Sequence, residues 1–218
     1  PRSAPCPVDV AHDLAEAERH VWLVFCDTVG LGAGCAARLR DAGHTVIEVR
    51  AGDRFLQTGD MSYTLAPERG REGYDLLLAS LVQRGITPDR IAHFWLTTRE
   101  EEFRPGSSFF HRNIEQGFYS LMFLAQAISE EDLPSPIQIT IVTSDTVQVR
   151  NEALLYPEKA TVAGPARVIP RELPGVTCRT IDVSLPPAKR SWRRGGGDAE
   201  VLDGLVSSIL EEMLAEHG

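Results

Sequence analysis

One stretch near the start of the chain, HVWLVFCDTVGLGAGCAARLRDA at residues 20–42, restricts the possible folds more than any other. The apolar run Val21–Phe25 predicts a buried β-strand. Three glycines follow at positions 30, 32 and 34 and permit a tight turn. The next residues, Leu31–Asp41, predict a helix that ends at Gly43. A buried strand joined through a glycine turn to a helix indicates an α/β fold.

The rest of the chain continues the alternation of strands and helices. Further strands are predicted at His44–Val49, Met61–Leu65, Ile91–Leu96, Ile137–Thr143 and Thr177–Val183, with Met61–Leu65 as a short edge strand. Further helices are predicted at about 73–84, 108–129, 157–168 and 199–215, and loops at Ala51–Asp60 and Thr97–Ser107. Right-handed crossovers then give a three-layer, truncated Rossmann-like fold with a mostly parallel sheet. The connection lengths fit the doubly wound strand order 3-2-1-4-5-6.

The composition divides the chain into one domain and its flanks. We expect a Pro/Ala-rich linker at 1–18, the α/β domain at 19–185, a basic Gly-rich linker at 186–197 and an amphipathic helix at 198–218. A domain of this size is large enough to bury a core.

Charge and cysteine content exclude several classes of function. A net charge of −9 argues against non-specific binding to nucleic acid and against docking on an anionic membrane. The sequence shows no transmembrane run and no signal peptide. The four cysteines are scattered without a CxxC pair, so we expect reduced thiols, no metal site and a cytoplasmic location.

The glycine turn is typical of a dinucleotide-binding loop, but its chemistry is wrong for a phosphate. Cys26 and Asp27 stand where the strand meets the turn, and a carboxylate there would repel a pyrophosphate. In the short-chain reductase pattern, a Thr-Gly pair precedes three variable residues and then Gly-x-Gly. Gly30 and Gly32 would be the later pair, so the first glycine is missing. We interpret the loop as degenerate and expect no cofactor.

A second degenerate set stands where such a reductase would hold its catalytic residues. That chemistry needs a serine to polarise the ketone, a tyrosine to donate the proton and a lysine four residues later. Ser144 ends a predicted strand and Tyr156 follows twelve residues on, but Lys159 is three residues after the tyrosine. We therefore predict no catalytic residues, and interpret these three as a strand-end serine, a packed tyrosine and a helix lysine paired with a nearby acid.

Arg50 and the histidines have simpler interpretations. Arg50 could meet an NADP 2′-phosphate, yet an exposed arginine beside Glu48 and Asp53 explains it better. His111 and Glu115 share a helix face without a second histidine at metal-ligand spacing, which favours a surface pair. His93, inside a strand, is expected in the core or at a sheet edge.

Four stretches resemble one protein family, and the last of them is the most specific. They are WLVFCDTVGLGAGCAARLRDAGHTVIEVRAGD at 22–53, IAHFW at 91–95, NIEQGFYSLMFLAQAI at 113–128 and LLYPEKATVAGPARVIPRELPGVTCRTIDV at 154–183. Together they resemble the N-terminal, structural subdomain of the ketoreductase of modular type I polyketide synthases, or a pseudo-ketoreductase.

The resemblance implies a role as well as a fold. In that family the N-terminal half is a truncated Rossmann fold without cofactor or catalytic residues, and it braces the half that binds NADPH. It implies that Lys159 is structural and that the partner is the catalytic half or an adjacent domain of the same megasynthase. The catalytic half is expected to lie outside this chain, through excision, an inserted domain, or loss in a pseudo-ketoreductase.

Two alternatives stay open: a stand-alone NADPH-dependent short-chain reductase, and a dimerising or docking module that uses the C-terminal helix. A half-fold without its partner predicts an exposed apolar patch, on the helices at 108–129 and 199–215.

Overall fold

The structure, a computed structural model, describes residues 18–99, 108–148, 154, 156–186 and 197–215, and shows one seven-stranded sheet between two layers of helices. The strands are β1 (Val21–Cys26), β2 (Thr45–Ala51), β3 (Leu56–Gly59), β4 (Ser62–Leu65), β5 (Arg90–Leu96), β6 (Ile137–Ser144) and β7 (Val176–Val183). The α-helices are α1 (Leu31–Asp41), α2 (Glu72–Gln83), α3 (Phe109–Ile114), α4 (Ser120–Glu130), α5 (Ala163–Glu172) and α6 (Gly197–Leu214). Short 3₁₀ helices at Pro67–Arg69 and Pro157–Val162 and a π-helical segment at Glu115–Tyr119 complete the described elements.

The strand order is β3-β4-β2-β1-β5-β6-β7. All neighbouring pairs are parallel except β3 with β4. The six parallel strands follow the predicted order 3-2-1-4-5-6, so both the fold class and the topology are confirmed.

The prediction at the β3 edge was wrong in one respect. The expected loop Ala51–Asp60 contains β3, and β3, not the Met61–Leu65 segment, forms the edge of the sheet. All four residues of β3 are exposed, so the strand has no apolar alternation by which the sequence could reveal it.

Two cores lie on opposite faces of the sheet because side chains alternate along each strand. From β1, Leu23 and Phe25 point to the core under α2, α4 and α5. Trp22 and Val24 point to the core under α1 and α6. Within the described chain, the second face has only two helices. The connection from β2 to β4 runs through β3 instead of a crossover helix. In that sense the doubly wound fold is truncated.

The helix predicted as continuous over 108–129 is interrupted. Ser108 caps α3 by accepting a hydrogen bond from the backbone N–H of His111, and the π-helical turn follows before α4 begins. Within that turn, a Cβ on Gly117 would lie 2.7 Å from Cδ1 of Leu96. The missing side chain lets the helix approach the end of β5, and α-helical periodicity alone does not predict the widened turn.

The C-terminal helix is an internal element of the fold. Val206, Ile209, Leu210 and Met213 are buried against the second face of the sheet and α1. A Cβ on Gly34 of α1 would lie 2.8 Å from Cγ2 of Val206, so the two helices pack closely. The prediction of an exposed apolar face on this helix was wrong, although Val201 in its first turns is exposed.

His93 is a core residue of β5. It is fully buried, stacks on Phe25 with ring centroids 4.9 Å apart, and shares a 2.8 Å hydrogen bond between its Nε2 and Oγ of Ser120. Burial lowers the pKa of His93 to about 3.

The loop Thr97–Ser107 was predicted to be exposed, but its first residue is not. Thr97 is fully buried and donates a hydrogen bond to the Val142 carbonyl. Residues 100–107 of that loop, and nearly all of both predicted linkers, lie outside the described residues.

Candidate functional site

The glycine turn between β1 and α1 is closed by the Asp27 side chain. One carboxylate oxygen accepts hydrogen bonds from the backbone N–H groups of Gly30 and Leu31, at 2.6 and 3.3 Å. The other accepts from the N–H of Gly32 at 2.7 Å. Asp27 is only 5% exposed, so this carboxylate is held inside the turn.

These N–H groups form the positive end of the α1 dipole, which in a dinucleotide-binding protein faces the pyrophosphate. Here a side chain of the same chain supplies the negative charge. We expected the carboxylate to repel an anion. In the structure, the carboxylate already occupies the N–H donors that an anion would need.

The glycines of the turn have structural reasons of their own. Gly30 has φ +106°, a conformation that L side chains rarely adopt. A Cβ on Gly32 would lie 3.0 Å from Cα of Cys26 and 3.1 Å from the Phe94 ring. Gly30 is therefore favoured by the backbone conformation of the turn and Gly32 by the packing of α1 on the strand ends, whether or not a cofactor binds.

An ion-pair cluster lies within β2. In dinucleotide-binding folds an acidic residue about 20 positions after the turn bonds the ribose, and the acid within β2 is Glu48, the fourth of its seven residues. Its two oxygens instead meet the guanidinium groups of Arg40 at 2.9 Å and Arg50 at 3.1 Å. The interpretation of Arg50 as an exposed arginine beside Glu48 is confirmed.

The second predicted set, Ser144, Tyr156 and Lys159, does come together. Nζ of Lys159 donates hydrogen bonds to Oγ of Ser144 at 3.1 Å and to its carbonyl at 3.2 Å. The same Nζ lies 5.2 Å from the centroid of the Tyr156 ring. The 3₁₀ helix Pro157–Val162 turns Lys159 inward at its three-residue spacing from Tyr156.

This arrangement is closed to a substrate at two of its three residues. Ser144 is fully buried, and its Oγ also accepts from the N–H of Thr98 and donates to the Thr98 carbonyl. Lys159 is 1% exposed, and burial lowers its pKa from 10.5 to about 8. In the described part of the chain its hydrogen bonds go to Ser144, and the negative charges of Asp145, Asp182 and Glu158 act on its ammonium group without a described ion pair. The lysine ties the 3₁₀ helix to the end of β6.

Sequence reasoning missed one polar contact beside this set. Nδ2 of the buried Asn113 donates to Glu158 at 2.7 Å, which joins α3 to the 3₁₀ helix that carries Lys159. An asparagine on the apolar side of a helix is the signal that could have found it.

Replacing Lys159 with methionine should change how stability depends on pH. The folded chain releases the lysine proton near pH 8 and the unfolded chain near pH 10.5, so between these values the unfolded chain binds more protons. Wild-type stability should therefore rise with pH relative to the variant, by at most about 1.4 kcal/mol per pH unit. Urea unfolding of both proteins at pH 7.5 to 10 measures the difference.

The difference between the two proteins is the meaningful quantity, because buried thiols act in the opposite direction at high pH. Burial raises the pKa values of Cys26 and Cys178 to about 12, so above pH 9 the unfolded chain loses protons first. Both proteins share that effect. A stability difference that stays constant from pH 7.5 to 10 would show that Lys159 carries its charge in the folded core without penalty.

Neither metal nor membrane features mark the described chain. Among the described residues no group of three or more His, Cys, Asp or Glu side chains could hold a metal ion. Of the helices described, none combines the length and apolar character needed to cross a membrane.

One family model and several solved structures match the chain. A family model described as "Beta-ketoacyl synthase-like, N-terminal" matches residues 34–192. No curated protein matches the chain significantly.

Among solved structures, the adenylation, ketoreductase and pseudo Asub multidomain structure of a keto acid-selecting NRPS module aligns with 99% of this chain at 23% identity and a TM-score of 0.74. An N-terminal ketoreductase from the macrolactin assembly line aligns with 90% at 19% identity and a TM-score of 0.67. This chain spans only 16% and 37% of those two chains. A short-chain dehydrogenase/reductase family oxidoreductase from Brucella ovis, in complex with a partially ordered NAD, aligns at 15% identity and a TM-score of 0.60, over 90% of this chain and 92% of its own.

These likenesses confirm the predicted Rossmann-like fold of the short-chain reductase type. They also agree with the resemblance to ketoreductases that the sequence suggested.

Proposed function

This chain belongs to the beta-ketoacyl synthase-like, N-terminal family, and from that premise we propose that it is a non-catalytic structural subdomain of a polyketide synthase ketoreductase. Its role is to brace a catalytic half or a neighbouring domain of the same megasynthase, without a cofactor, a metal or nucleic acid.

The observation that carries this proposal is the position of the Asp27 carboxylate. A pyrophosphate would need the N–H groups of Gly30 and Gly32, and both already bond to Asp27 at 2.6 and 2.7 Å. Displacing a buried carboxylate from the helix terminus would leave it unpaired beside a second negative group. β2 supports the same conclusion, because its acid Glu48 is engaged by Arg40 and Arg50.

A bracing role needs a surface on which another domain can rest. The helix predicted to carry it has exposed aromatic side chains: Phe110 is 56% exposed and Tyr119 is 42% exposed. Exposed aromatic residues are unusual on a free surface and frequent at interfaces. The chain also spans a minor part of the ketoreductase structures it resembles, which leaves room for a partner in a longer polypeptide.

Titration of the purified chain with NADPH tests the proposal. We expect no saturable change in nicotinamide fluorescence at micromolar concentrations, since the Asp27 carboxylate occupies the N–H groups that a pyrophosphate would need. An active short-chain reductase measured in parallel serves as the positive control. Saturable binding in the micromolar range would overturn the structural role.

The stand-alone NADPH-dependent reductase is the second candidate, and one observation favours it. Ser144, Tyr156 and Lys159 meet in space, with Nζ of Lys159 3.1 Å from Oγ of Ser144. Consumption of NADPH in the presence of a β-ketoacyl thioester, abolished by Lys159→Met, would support this candidate. Equal and negligible rates for both proteins are expected from the structural role.

A further inference from the structure

Where the chain enters β1, at the end of the sheet opposite the glycine turn, side chains accept two consecutive backbone N–H groups. The N–H of His20 donates to Nδ1 of His44 at 3.1 Å, and the N–H of Val21 donates to Oδ1 of Asp89 at 2.8 Å. His44 precedes β2 and Asp89 precedes β5, so the two contacts tie the start of β1 to both of its neighbours. An imidazole nitrogen accepts a hydrogen bond only while it is unprotonated, which makes the contact with His44 sensitive to pH.

The His20 ring has one defined tautomer. Its Nδ1 lies 2.6 Å from Oδ2 of Asp89, and its Nε2 lies 3.3 Å from Nη2 of Arg90. A guanidinium group can only donate, so Nε2 accepts and the hydrogen of the neutral ring is on Nδ1, where it bonds to the carboxylate. Both ring nitrogens of His20 are therefore satisfied without a second proton.

His44 has the opposite tautomer, because its Nδ1 accepts the N–H of His20 and its own hydrogen is then on Nε2. His44 is only 4% exposed, and its Nε2 has no hydrogen-bond partner among the described residues. A second proton on this ring would go to Nδ1 and would point at the N–H of His20. Protonation of His44 therefore removes the acceptor that holds the start of β1 and places two donors against each other.

The groups that face His44 from the starts of β1 and β5 mostly oppose a positive ring. His20 stacks on it with ring centroids 6.0 Å apart, and Arg19 adds a guanidinium charge. Trp22 packs edge-on against the ring and carries no charge. Burial, followed by His20 and Arg19, lowers the pKa of His44 below its ordinary 6.5, and Asp89 acts in the opposite direction.

The helices beside His44 have their charges engaged elsewhere or exposed. Arg38 and Arg40, in the last turn of α1, are each paired with an acid of another element. Asp41 is exposed. The residues of α6 that share a core with Trp22 are apolar. The decisive charges around His44 are therefore those at the starts of β1 and β5.

We propose that His20 and His44 form an acid-sensitive latch, which fixes the start of β1 to the starts of β2 and β5 while both rings are neutral and releases it when His44 takes up a proton. Because residue 18 joins this entry to the preceding segment of the chain, the latch determines how firmly that segment is held to the domain. The latch contains no residue of the glycine turn and does not depend on the proposed function.

Nuclear magnetic resonance of the full chain tests the proposal. At pH 7.5 the ¹⁵N shifts of the two rings should report opposite tautomers, with hydrogen on Nδ1 of His20 and on Nε2 of His44. The open latch binds a proton that the closed latch excludes, so closure should weaken as the pH falls below 6.5. The protection factor of the His20 amide against hydrogen exchange should then fall by up to about tenfold per pH unit between pH 6.5 and 5.

Two histidine variants form a matched pair. His44→Asn keeps an acceptor oxygen close to the position of Nδ1 but cannot take up a proton, so its His20 amide should keep its protection factor within about twofold from pH 7.5 to 5. His111→Asn, at an exposed histidine of α3, should behave like the wild type. The fully buried His93 is present in all three proteins, so any effect of its protonation is shared.

A His20 protection factor that stays constant in the wild type would overturn the proposal, as would an equal fall in His44→Asn. If His44→Asn does not fold, the wild-type rings decide the question. Hydrogen on Nδ1 of His44 at pH 7.5 would overturn the latch. Hydrogen on Nε2, followed by loss of His20 protection as the His44 ring takes up its second proton, would support it.

Discussion

A chain shortened to end at residue 196, and so lacking α6, should fail to reach the native fold. The deletion would expose the face of the sheet that Val206, Ile209, Leu210 and Met213 now cover. Burying four such side chains contributes about 8 kcal/mol, which is comparable to the whole stability of a typical domain. Circular dichroism and urea unfolding should show lost cooperativity and a weak near-ultraviolet signal.

Two point variants should show how much single side chains of α6 contribute to stability. Leu210→Ala, at a fully buried position, should lower the free energy of unfolding by about 2–4 kcal/mol. Val201→Ala, where the side chain is 48% exposed, should change it by less than about 0.5 kcal/mol. Cooperative unfolding of the shortened chain with an unchanged urea dependence would show that α6 is dispensable, as a dimerising or docking helix would be.

The central strands of the sheet could be predicted from the sequence, whereas one edge strand and one helical turn could not. β1 and β5 were located as mainly apolar runs and β6 by its β-branched residues, and all three are buried on both faces, as is typical of central parallel strands. β3 was missed because its four residues are exposed and pair with a single neighbour. The π-helical turn was missed because α-helical periodicity continues through it, and the close approach of Gly117 to Leu96 joins two different elements.

In the candidate site, the residue types could be interpreted from the sequence, but the contacts of single side chains could not be predicted. The residue types at Cys26 and Asp27 already argued against a phosphate. That Asp27 would fold back onto Gly30 and Gly32 depends on the left-handed conformation of Gly30, which no spacing rule supplies. Likewise Lys159 and Ser144 meet because a 3₁₀ helix, not an α-helix, follows Tyr156.

Replacing Asp27 with alanine should lower the free energy of unfolding by about 3 kcal/mol. The change removes a charged acceptor that serves the N–H groups of Gly30, Leu31 and Gly32. Hydrogen bonds to charged groups are worth about 1.5–3 kcal/mol each, and water entering the truncated site would recover part of the loss. Urea unfolding at pH 7 measures the effect. Asp27→Asn keeps one acceptor oxygen but turns its NH₂ group towards a backbone N–H donor, so it should lose about 2 kcal/mol.

The control for this prediction is Asp53→Ala, which removes an exposed acid beyond the end of β2 and should change stability by less than about 0.5 kcal/mol. Equal stability of the two alanine variants would mean that solvent serves the α1 terminus as well as the carboxylate does. Asp27 would then be no obstacle to an incoming anion, and the turn could accept a cofactor phosphate. A large loss confined to Asp27→Ala would instead show that the turn depends on its own carboxylate for the charge that a dinucleotide supplies in an active reductase.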